Sequence, residues 1–190
     1  MGSSRRCKWS ESHELFIPYH DKEWGTPCKN DRKLYEMLCL EGAQAGLSWL
    51  TILKKRPHYR EVFENFDFKK VAKFNTRKKS SLLKDPGIVR HPQKIEAFIE
   101  NAQAVIDIRS EHGTFARYIW NYVDFKPIQS GKQNSKSVLS ALISKDLKKK
   151  GFRFVGPTTV YSFMQAAGMI NDHEKSCFRH RELKSSEVFK

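Results

Sequence analysis

The chain has 190 residues, of which 39% are hydrophobic and 12% are aromatic, so it can bury a sizeable core and is not expected to be disordered throughout. Its 35 Lys and Arg outnumber its 21 Asp and Glu, and the resulting formal net charge of +14 favours polyanionic partners such as nucleic acids. No stretch approaches the roughly 20 apolar residues of a membrane-spanning helix, so no membrane partner is expected.

The N-terminal sequence indicates where the protein works. Residues 1–6 lack the apolar run of a signal peptide, and Arg6 stands where a myristoylation motif needs Ser or Thr. We therefore expect a cytoplasmic or nucleoid-associated protein. In that compartment the four cysteines are expected to be metal ligands or core residues rather than disulfides.

The hydrophobic spacing is helical along most of the chain. Asp31 is expected to start a helix that places Leu34, Leu38 and Ala45 on one face. Pro92 suits the first turn of a later helix. Its inward residues follow at helical spacing and are Ile95, Phe98, Ile99, Ala102 and Ile106. No convincing alternation for strands is present, so the fold class is predicted to be all-α.

A further helix is expected to be capped by Ser135 and to end in a run of lysines before Gly151, which are typical stop signals. Its predicted inward residues are Val138, Leu139, Leu142, Ile143 and Leu147. Shorter helices are expected around 59–65, 68–73, 76–84, 114–122 and 158–168. Residues 126–136 are interpreted as a flexible surface loop. The predicted organisation is one domain over residues 1–183 with a flexible tail over residues 184–190.

Cysteine and histidine pairs near the two ends of the chain form a candidate metal site. Cys7 precedes His20 by thirteen positions, and His173 precedes Cys177 by four. Two Cys and two His suit a tetrahedral zinc ion, and a site filled by four protein ligands is structural because no position remains for water. The alternative is that these are buried cysteines and ordinary histidines, and Cys28 and Cys39 remain competing ligands.

A zinc deaminase is excluded by its motif. That chemistry needs His-x-Glu followed downstream by Pro-Cys-x-x-Cys. The His-x-Glu of this chain, His180 to Glu182, lies close to the C-terminus and has no such partner after it.

An acidic residue occupies a position where the pattern calls for a hydrophobic one. Glu41 follows Leu34 and Leu38 on the inward face of its helix, where a carboxylate is costly unless it finds a partner. Gly42 and Gly46 leave room for another element or a ligand to approach closely. The two interpretations are an internal ion pair with Arg or Lys, or a pocket acid that receives a cationic or amino-bearing ligand.

Aromatic residues cluster in the sequence near this acid. They are Trp9, Phe16, Tyr19, Trp24 and Trp49. Flat pockets for bases are built from such rings, and a cationic base gains up to about 2 kcal/mol over a desolvated ring face. The alternative for some of these rings is a place in the core.

Four segments carry a family resemblance. They are Phe16-Ile-Pro-Tyr-His-Asp-Lys-Glu-Trp-Gly25, Leu40-Glu-Gly-Ala-Gln-Ala-Gly-Leu-Ser-Trp49, Gly151-Phe-Arg-Phe-Val-Gly-Pro-Thr-Thr-Val-Tyr-Ser-Phe-Met-Gln165, and Asn171-Asp-His173 followed by Cys177. Together they resemble the bacterial Tag family of 3-methyladenine DNA glycosylases, over nearly the whole chain from Cys7 to Cys177. The resemblance implies the helix-hairpin-helix glycosylase fold, with helical lobes around a base pocket.

The resemblance also implies an activity, a partner and a cofactor. The expected reaction is excision of 3-methyladenine from alkylated double-stranded DNA by a monomeric, monofunctional glycosylase. One structural zinc per chain on Cys7, His20, His173 and Cys177 is implied as a clip that joins the two ends of the fold. Alternatives are a protein that recognises damaged bases without cleaving, and activity on another alkylated base such as 3-methylguanine.

The resemblance assigns roles to the pocket residues. Glu41 corresponds to the catalytic, base-recognising acid, and Tyr19 and Trp49 correspond to the stacking aromatics. Trp9 and Phe16 border the pocket, and Phe16 stands where the family often has tyrosine, so a hydrogen bond from that hydroxyl is not expected here.

The segment Phe152–Gly156 corresponds to the hairpin of the superfamily. It keeps the last glycine of the hairpin signature but has Phe154 in place of the first. Lysine is absent from Gly156 to Gly168, so no Schiff-base lyase step is expected. Asp172 is a candidate either for the general acid-base residue or for a residue that supports the metal site.

Overall fold

The computed structural model describes residues 5–184, and these residues form a mostly helical fold. Ten α-helices are present in this range, as numbered here in chain order: α1 (Phe16–Lys22), α2 (Asp31–Gln44), α3 (Trp49–Val62), α4 (Phe68–Val71), α5 (Thr76–Lys84), α6 (Pro92–His112), α7 (Phe115–Trp120), α8 (Val138–Lys149), α9 (Pro157–Ala166) and α10 (Phe178–Glu182). Three 3₁₀ turns cover Lys8–Glu11, Glu64–Phe66 and Asn121–Val123. The prediction of a mainly helical fold is confirmed, and the one departure from all-α is a two-stranded sheet in the described range. A search of the described helices finds no candidate membrane span.

Helix α2 lies at the centre of the fold and carries the inward acid. It begins where predicted, with the Asn30 side chain accepting the backbone N–H of Lys33 as a cap. Leu34 and Leu38 are fully buried, as expected. The helix ends at Gln44, so the predicted inward position of Ala45 is wrong and Ala45 is exposed.

The end of α2 is held by the long helix α6. Helix α6 starts at Pro92 as predicted, and its inward stripe is buried except for the half-buried Ile106. Lys94, on the first turn of α6, donates to the carbonyl oxygens of Ala43 and Ala45 at 2.9 and 2.6 Å. Because a cation satisfies the last carbonyls of α2, the helix stops before it reaches Gly46.

Helix α8 differs from its prediction in its cap and in two of the residues predicted to face inward. Its cap is Ser137, not Ser135, and Ser137 forms a reciprocal capping box with Ser140. Val138 is 90% exposed and Leu142 is 53% exposed, whereas Ile143 and Leu147 are buried. The buried face is turned toward Ser140 and Ser144, whose hydroxyls donate to backbone carbonyls and so can be buried without penalty.

Two segments differ from their predictions: one belongs to a longer helix than expected, and the other contains a β-strand. The expected helix at 59–65 is the last part of α3, which continues through Pro57. Residues 49–58, the first part of α3, were not predicted to be helical, and Pro57 lies inside the helix although proline usually interrupts one. Residues 128–129, within the predicted loop, form β1 and pair in parallel with β2 (Ile170–Asn171). The predicted tail at 184–190 lies outside the described residues except for Lys184.

Candidate active site and metal centre

The two predicted Cys and His pairs meet at one buried point. Cys7 precedes the first 3₁₀ turn, His20 lies on α1, and His173 and Cys177 lie between β2 and α10. All four side chains are fully buried, and their ligand atoms lie within 4.8 Å of one another. Cys28 and Cys39, the competing candidates, belong instead to the main hydrophobic core.

The donor atoms of this cluster are spaced as the corners of one tetrahedron. His20 Nε2 and His173 Nδ1 are 3.1 Å apart. Sulfur–nitrogen distances are 3.5 Å from Cys7 to His173 and 3.5 Å from Cys177 to His20. A tetrahedral ion with the bond lengths of zinc would separate two nitrogens by about 3.3 Å and a nitrogen from a sulfur by about 3.6 Å. The residues therefore fit one small tetrahedral cation.

The histidine tautomers are set by hydrogen bonds outside the cluster. His20 Nδ1 lies 2.7 Å from Asp21, and His173 Nε2 lies 3.0 Å from the carbonyl oxygen of Trp24. Both acceptors require N–H at those positions, which leaves a lone pair on each nitrogen that faces the cluster. Such outer partners are the usual support of metal-ligating histidines.

Burial favours the neutral forms of Cys7 and His173. Burial raises the pKa of the Cys7 thiol to about 12 and lowers the pKa of His173 to about 3. Without a metal, each of the two thiols can donate its S–H to an inward imidazole nitrogen 3.5 Å away, whereas a divalent cation would favour thiolates and neutral imidazoles. The cluster joins residues near both ends of the described chain.

A separate cavity of about 180 Å³ contains the predicted pocket acid. Its lining comes from the first 3₁₀ turn and from α1, α2, α3 and α9, with Trp24 just beyond α1: Trp9, Tyr19, Trp24, Glu41, Gln44, Trp49, Ser162 and Gln165. A second cavity of about 200 Å³ shares Glu41, Gln44 and Ser162 with it and extends past the exposed Leu47. The acid thus lies between an aromatic cavity and a path to the surface.

Glu41 is buried without a partner. It is 6% exposed, and its carboxyl forms no hydrogen bond or ion pair with any residue from 5 to 184. Both candidate cations are used elsewhere: Lys94 by the carbonyls of α2, and Arg56 by Glu23 and Glu36 at 2.5 and 2.7 Å. The ion-pair interpretation of Glu41 is therefore not supported.

The environment of Glu41 keeps it neutral in the empty cavity. Burial raises its pKa to about 8, and the nearby charge of Arg56 offsets that effect only in part. A buried, unpaired carboxyl in an aromatic cavity is typical of a binding or catalytic site, because nothing in the fold compensates for its cost.

The aromatic rings differ in how they meet the cavity. Tyr19 and Trp49 line it, but their centroids are 5.4 Å apart at an interplanar angle of 45°. The two rings therefore contact each other, whereas a base held between them would have to stack on each ring and would need a wider separation. Phe16 does not line the cavity and instead contacts the edge of Trp9 at 5.6 Å.

The indole Nε1–H of Trp49 is buried and has no acceptor among the described residues. Buried donors are nearly always paired in native proteins, so an orphan in a cavity wall is consistent with a ligand that supplies the acceptor.

Asp172 lies behind the cavity wall and does not line it. Its carboxylate accepts hydrogen bonds from the backbone N–H groups of Lys132 and Gln133, from the Tyr161 hydroxyl and from the Gln165 amide. Burial by itself would raise the pKa of Asp172, but these donors outweigh burial and lower it. Because the Asp172 carboxylate is fully buried and accepts four hydrogen bonds, it holds the neighbouring donor groups in place and is not exposed to act as an acid-base residue in the cavity.

The turn between α8 and α9 contains residues 152–156, the segment that was predicted to correspond to the hairpin. Phe154 adopts the left-handed backbone conformation, with φ of +55°, at the position where the signature has glycine. Its side chain packs on Gly42, where an added Cβ would lie 3.1 Å from the Cβ of Phe154. Gly42 is thus required by a close approach of this turn to α2, next to the acid.

Sequence reasoning missed three cavity residues. Gln44, Ser162 and Gln165 line the cavity but are ordinary polar residues of α2 and α9, and nothing in their spacing distinguishes them from a solvated helix face. Tertiary packing alone makes them part of the site.

The raised pKa of Glu41 predicts a pH-dependent stability change in Glu41→Gln. The folded protein retains a proton that the unfolded chain releases above about pH 4.5, so wild-type stability falls as pH rises from there to about 8 and stays lower above it. We expect the variant to be more stable by about 2–4 kcal/mol at pH 9 and by less at pH 6. Thermal unfolding at both pH values measures this.

Glu36→Gln is the matched control for that measurement. Glu36 is buried on the same helix but is ion-paired with Arg56, so its substitution should destabilise the protein at both pH values. A stability difference between Glu41→Gln and wild type that is the same at pH 6 and pH 9 would contradict the raised pKa.

Comparison with known proteins identifies the family. A family model described as methyladenine glycosylase matches residues 9–180. DNA-3-methyladenine glycosylase 1 of Escherichia coli (strain K12) is 47% identical over 178 residues, covering 90% of this chain and 95% of the relative. DNA-3-methyladenine glycosylase of Haemophilus influenzae is 44% identical over 177 residues, with 90% and 96% covered. A solved structure of a variant 3-methyladenine DNA glycosylase I in complex with 3-methyladenine has a TM-score of 0.87 at 37% identity, covering 91% and 96%.

Proposed function

This chain belongs to the methyladenine glycosylase family and excises 3-methyladenine from alkylated DNA, and we propose that it does so as a monofunctional hydrolase in which Glu41 holds the flipped base. The observation that carries the role of Glu41 is its buried carboxyl, which has no partner among the described residues and lies in an aromatic cavity. The cavity volume of about 180 Å³ suits a single base rather than a larger ligand.

The chemistry asks little of the protein because the lesion is reactive. A 3-methylated adenine in DNA carries a positive charge, and the bond between its N9 and the sugar C1′ breaks with both electrons passing to the ring, so the base leaves neutral. Water then bonds to C1′ and releases its proton to solvent. Flipping the nucleotide out of the duplex costs a few kcal/mol, which contacts in the pocket must supply.

Glu41 contributes through charge and hydrogen bonding. The cationic base restores the ionised carboxylate that burial disfavours, and the carboxylate accepts hydrogen bonds from the base edge. Adenine without the methyl group carries no charge, so it neither leaves readily nor ionises Glu41. This difference would spare normal DNA.

The aromatic residues are proposed to hold the ring. We infer that Tyr19 and Trp49 separate to admit the base between them, because their present spacing of 5.4 Å is too small. Trp9 borders the ring, and Phe16 acts through its edge contact with Trp9. The orphan N–H of Trp49 is available to an acceptor on the flipped nucleotide.

Double-stranded DNA is the proposed partner, and the α8–turn–α9 unit is the proposed helix-hairpin-helix. A surface cavity of about 540 Å³ lies beside the turn, where Lys148, Arg153 and Gly156 line one part of it and Glu96 and Glu100 another, and Arg153 is ion-paired with Glu100 at 3.2 Å. Gly156 caps α9, and no atom lies within 4 Å of the point where its Cβ would be. Open N–H groups at a helix start, next to cations, suit a phosphate.

Salt dependence tests this DNA surface. Lys145 and Lys149 are exposed on α8, and we expect the double variant Lys145→Ala/Lys149→Ala to reduce the slope of log affinity against log salt by up to about 2. The matched variant Lys69→Ala/Lys73→Ala tests a second basic stretch of the sequence, residues 69–84, as an alternative contact to the DNA backbone. An unchanged slope in the α8 variant would mean that the contacts to the DNA backbone lie elsewhere on the protein.

Zinc is the proposed resident metal, one per chain, on Cys7, His20, His173 and Cys177. The two-Cys, two-His donor set and its tetrahedral spacing support this choice, and four protein ligands leave no position for water, so the metal is structural. We further propose a monomer with one domain over residues 1–183, in the bacterial cytoplasm and in contact with the nucleoid where its DNA substrate lies.

Chromatography of the bases released from methylated duplex DNA tests the proposed function. The expected result is free 3-methyladenine, produced in proportion to the protein added. A protein that binds damaged DNA without cleaving would release no base, and release of another alkylated base alone would reassign the substrate.

A further inference from the structure

The part of the base cavity wall that α9 contributes contains a glutamine whose side-chain amide is oriented by a hydrogen bond outside the cavity. Gln165 lies on α9, one turn after Ser162, and lines the cavity. Its side-chain Nε2 donates to Asp172 Oδ2 at 2.8 Å. Its Oε1 has no partner among the described residues.

The polarity of this contact cannot be reversed. Asp172 Oδ1 receives the backbone N–H groups of Lys132 and Gln133, each at 2.9 Å, and backbone N–H groups can only donate. Asp172 Oδ2 receives the Tyr161 hydroxyl at 3.0 Å together with Gln165. Since the carboxylate accepts from every partner, Gln165 must present its NH₂ to Asp172 and its oxygen to the cavity.

We propose that Gln165 is a specificity-determining residue, oriented by Asp172, whose side-chain oxygen accepts a hydrogen from the exocyclic amino group of 3-methyladenine. This inference rests on the proposed function. An oxygen acceptor in the cavity wall matches the amino group of adenine and opposes the carbonyl oxygen that guanine carries at the same ring position. A site built to pair one polar group rejects the analogue that leaves it unpaired.

Asp172 is a positioning residue in this arrangement, and its substitution makes a distinctive prediction. In Asp172→Asn the side-chain oxygen must stay on the two backbone N–H groups, so the new NH₂ replaces Oδ2 and faces Gln165. Gln165 then has to rotate its amide, which turns Nε2 into the cavity. The variant would present a donor where wild type presents an acceptor, with almost no change in shape.

The experiment measures the ratio of 3-methyladenine to 3-methylguanine released from the same methylated DNA under single-turnover conditions. We expect Asp172→Asn to lower this ratio at least 10-fold, and Gln165→Met, which removes the acceptor and one of the four donors to Asp172, to lower it about 10-fold. Because both bases come from one reaction, loss of folded protein reduces both and leaves the ratio unchanged.

Tyr161→Phe is the control, because it removes one donor to Asp172 without changing what Gln165 must present. Its ratio should stay within 2-fold of wild type. An unchanged ratio in both Asp172→Asn and Gln165→Met, with bases still released, would overturn the inference and leave the proposed function intact. Absence of any released base from wild type would instead overturn the proposed function.

Discussion

Glu41→Gln is expected to reduce the single-turnover rate of 3-methyladenine release by about 10²–10³-fold, or about 3–4 kcal/mol. The substitution keeps the size of the side chain and part of its hydrogen bonding but removes the charge that faces the cationic lesion. Because the Glu41 carboxyl has no partner among the described residues, a lower rate in Glu41→Gln cannot be attributed to a broken ion pair. Rates are measured with enzyme in excess over methylated DNA.

Two comparisons separate catalysis from folding in that experiment. The same variant is expected to be more stable than wild type, so a lower rate cannot come from unfolding. Glu41→Asp keeps the charge at a shorter reach and should recover part of the rate. A Glu41→Gln enzyme with wild-type turnover would remove Glu41 from the mechanism.

Cys177→Ser is expected to abolish zinc binding and to lower the free energy of unfolding by several kcal/mol. Cys7 and Cys177 are fully buried, and the proposed zinc would link segments about 170 residues apart. Its loss would therefore restore conformational entropy to a long stretch of chain and remove the metal–ligand bonds. Metal content by atomic absorption and thermal unfolding provide the two measurements.

Cys28→Ser is the matched control, since Cys28 is a buried thiol outside the cluster. It should retain one zinc per chain and show only a modest loss of stability. A Cys177→Ser protein that keeps stoichiometric zinc would contradict the ligand assignment. Chelation of wild type should likewise lower the unfolding temperature, while any protein that remains folded keeps its glycosylase activity, because the metal does not line the base cavity.

The spacing of hydrophobic residues was sufficient to predict those helices whose buried faces consist of hydrophobic side chains. The stripe of α6 and the start of α2 could be predicted, because spacing of 3.6 residues specifies a buried face whatever lies against it. Periodicity failed on α8, where buried serines replace hydrophobic residues and local hydroxyl bonds remove their cost. It also failed on β1 and β2, which exist only as a pair about 40 residues apart.

The residues of the site could be picked out from local features of the sequence: a carboxyl on a hydrophobic face, aromatic rings near it in the chain, and two Cys and His pairs suited to zinc. Only the tertiary structure decided how they are used. It brought the four ligands within 4.8 Å, left Glu41 without a partner while Arg56 was paired elsewhere, and placed Gln165 in the wall with Asp172 behind it. The physical reason is that burial is encoded locally by periodicity, whereas the pairing of a buried polar group depends on segments that are distant in the chain.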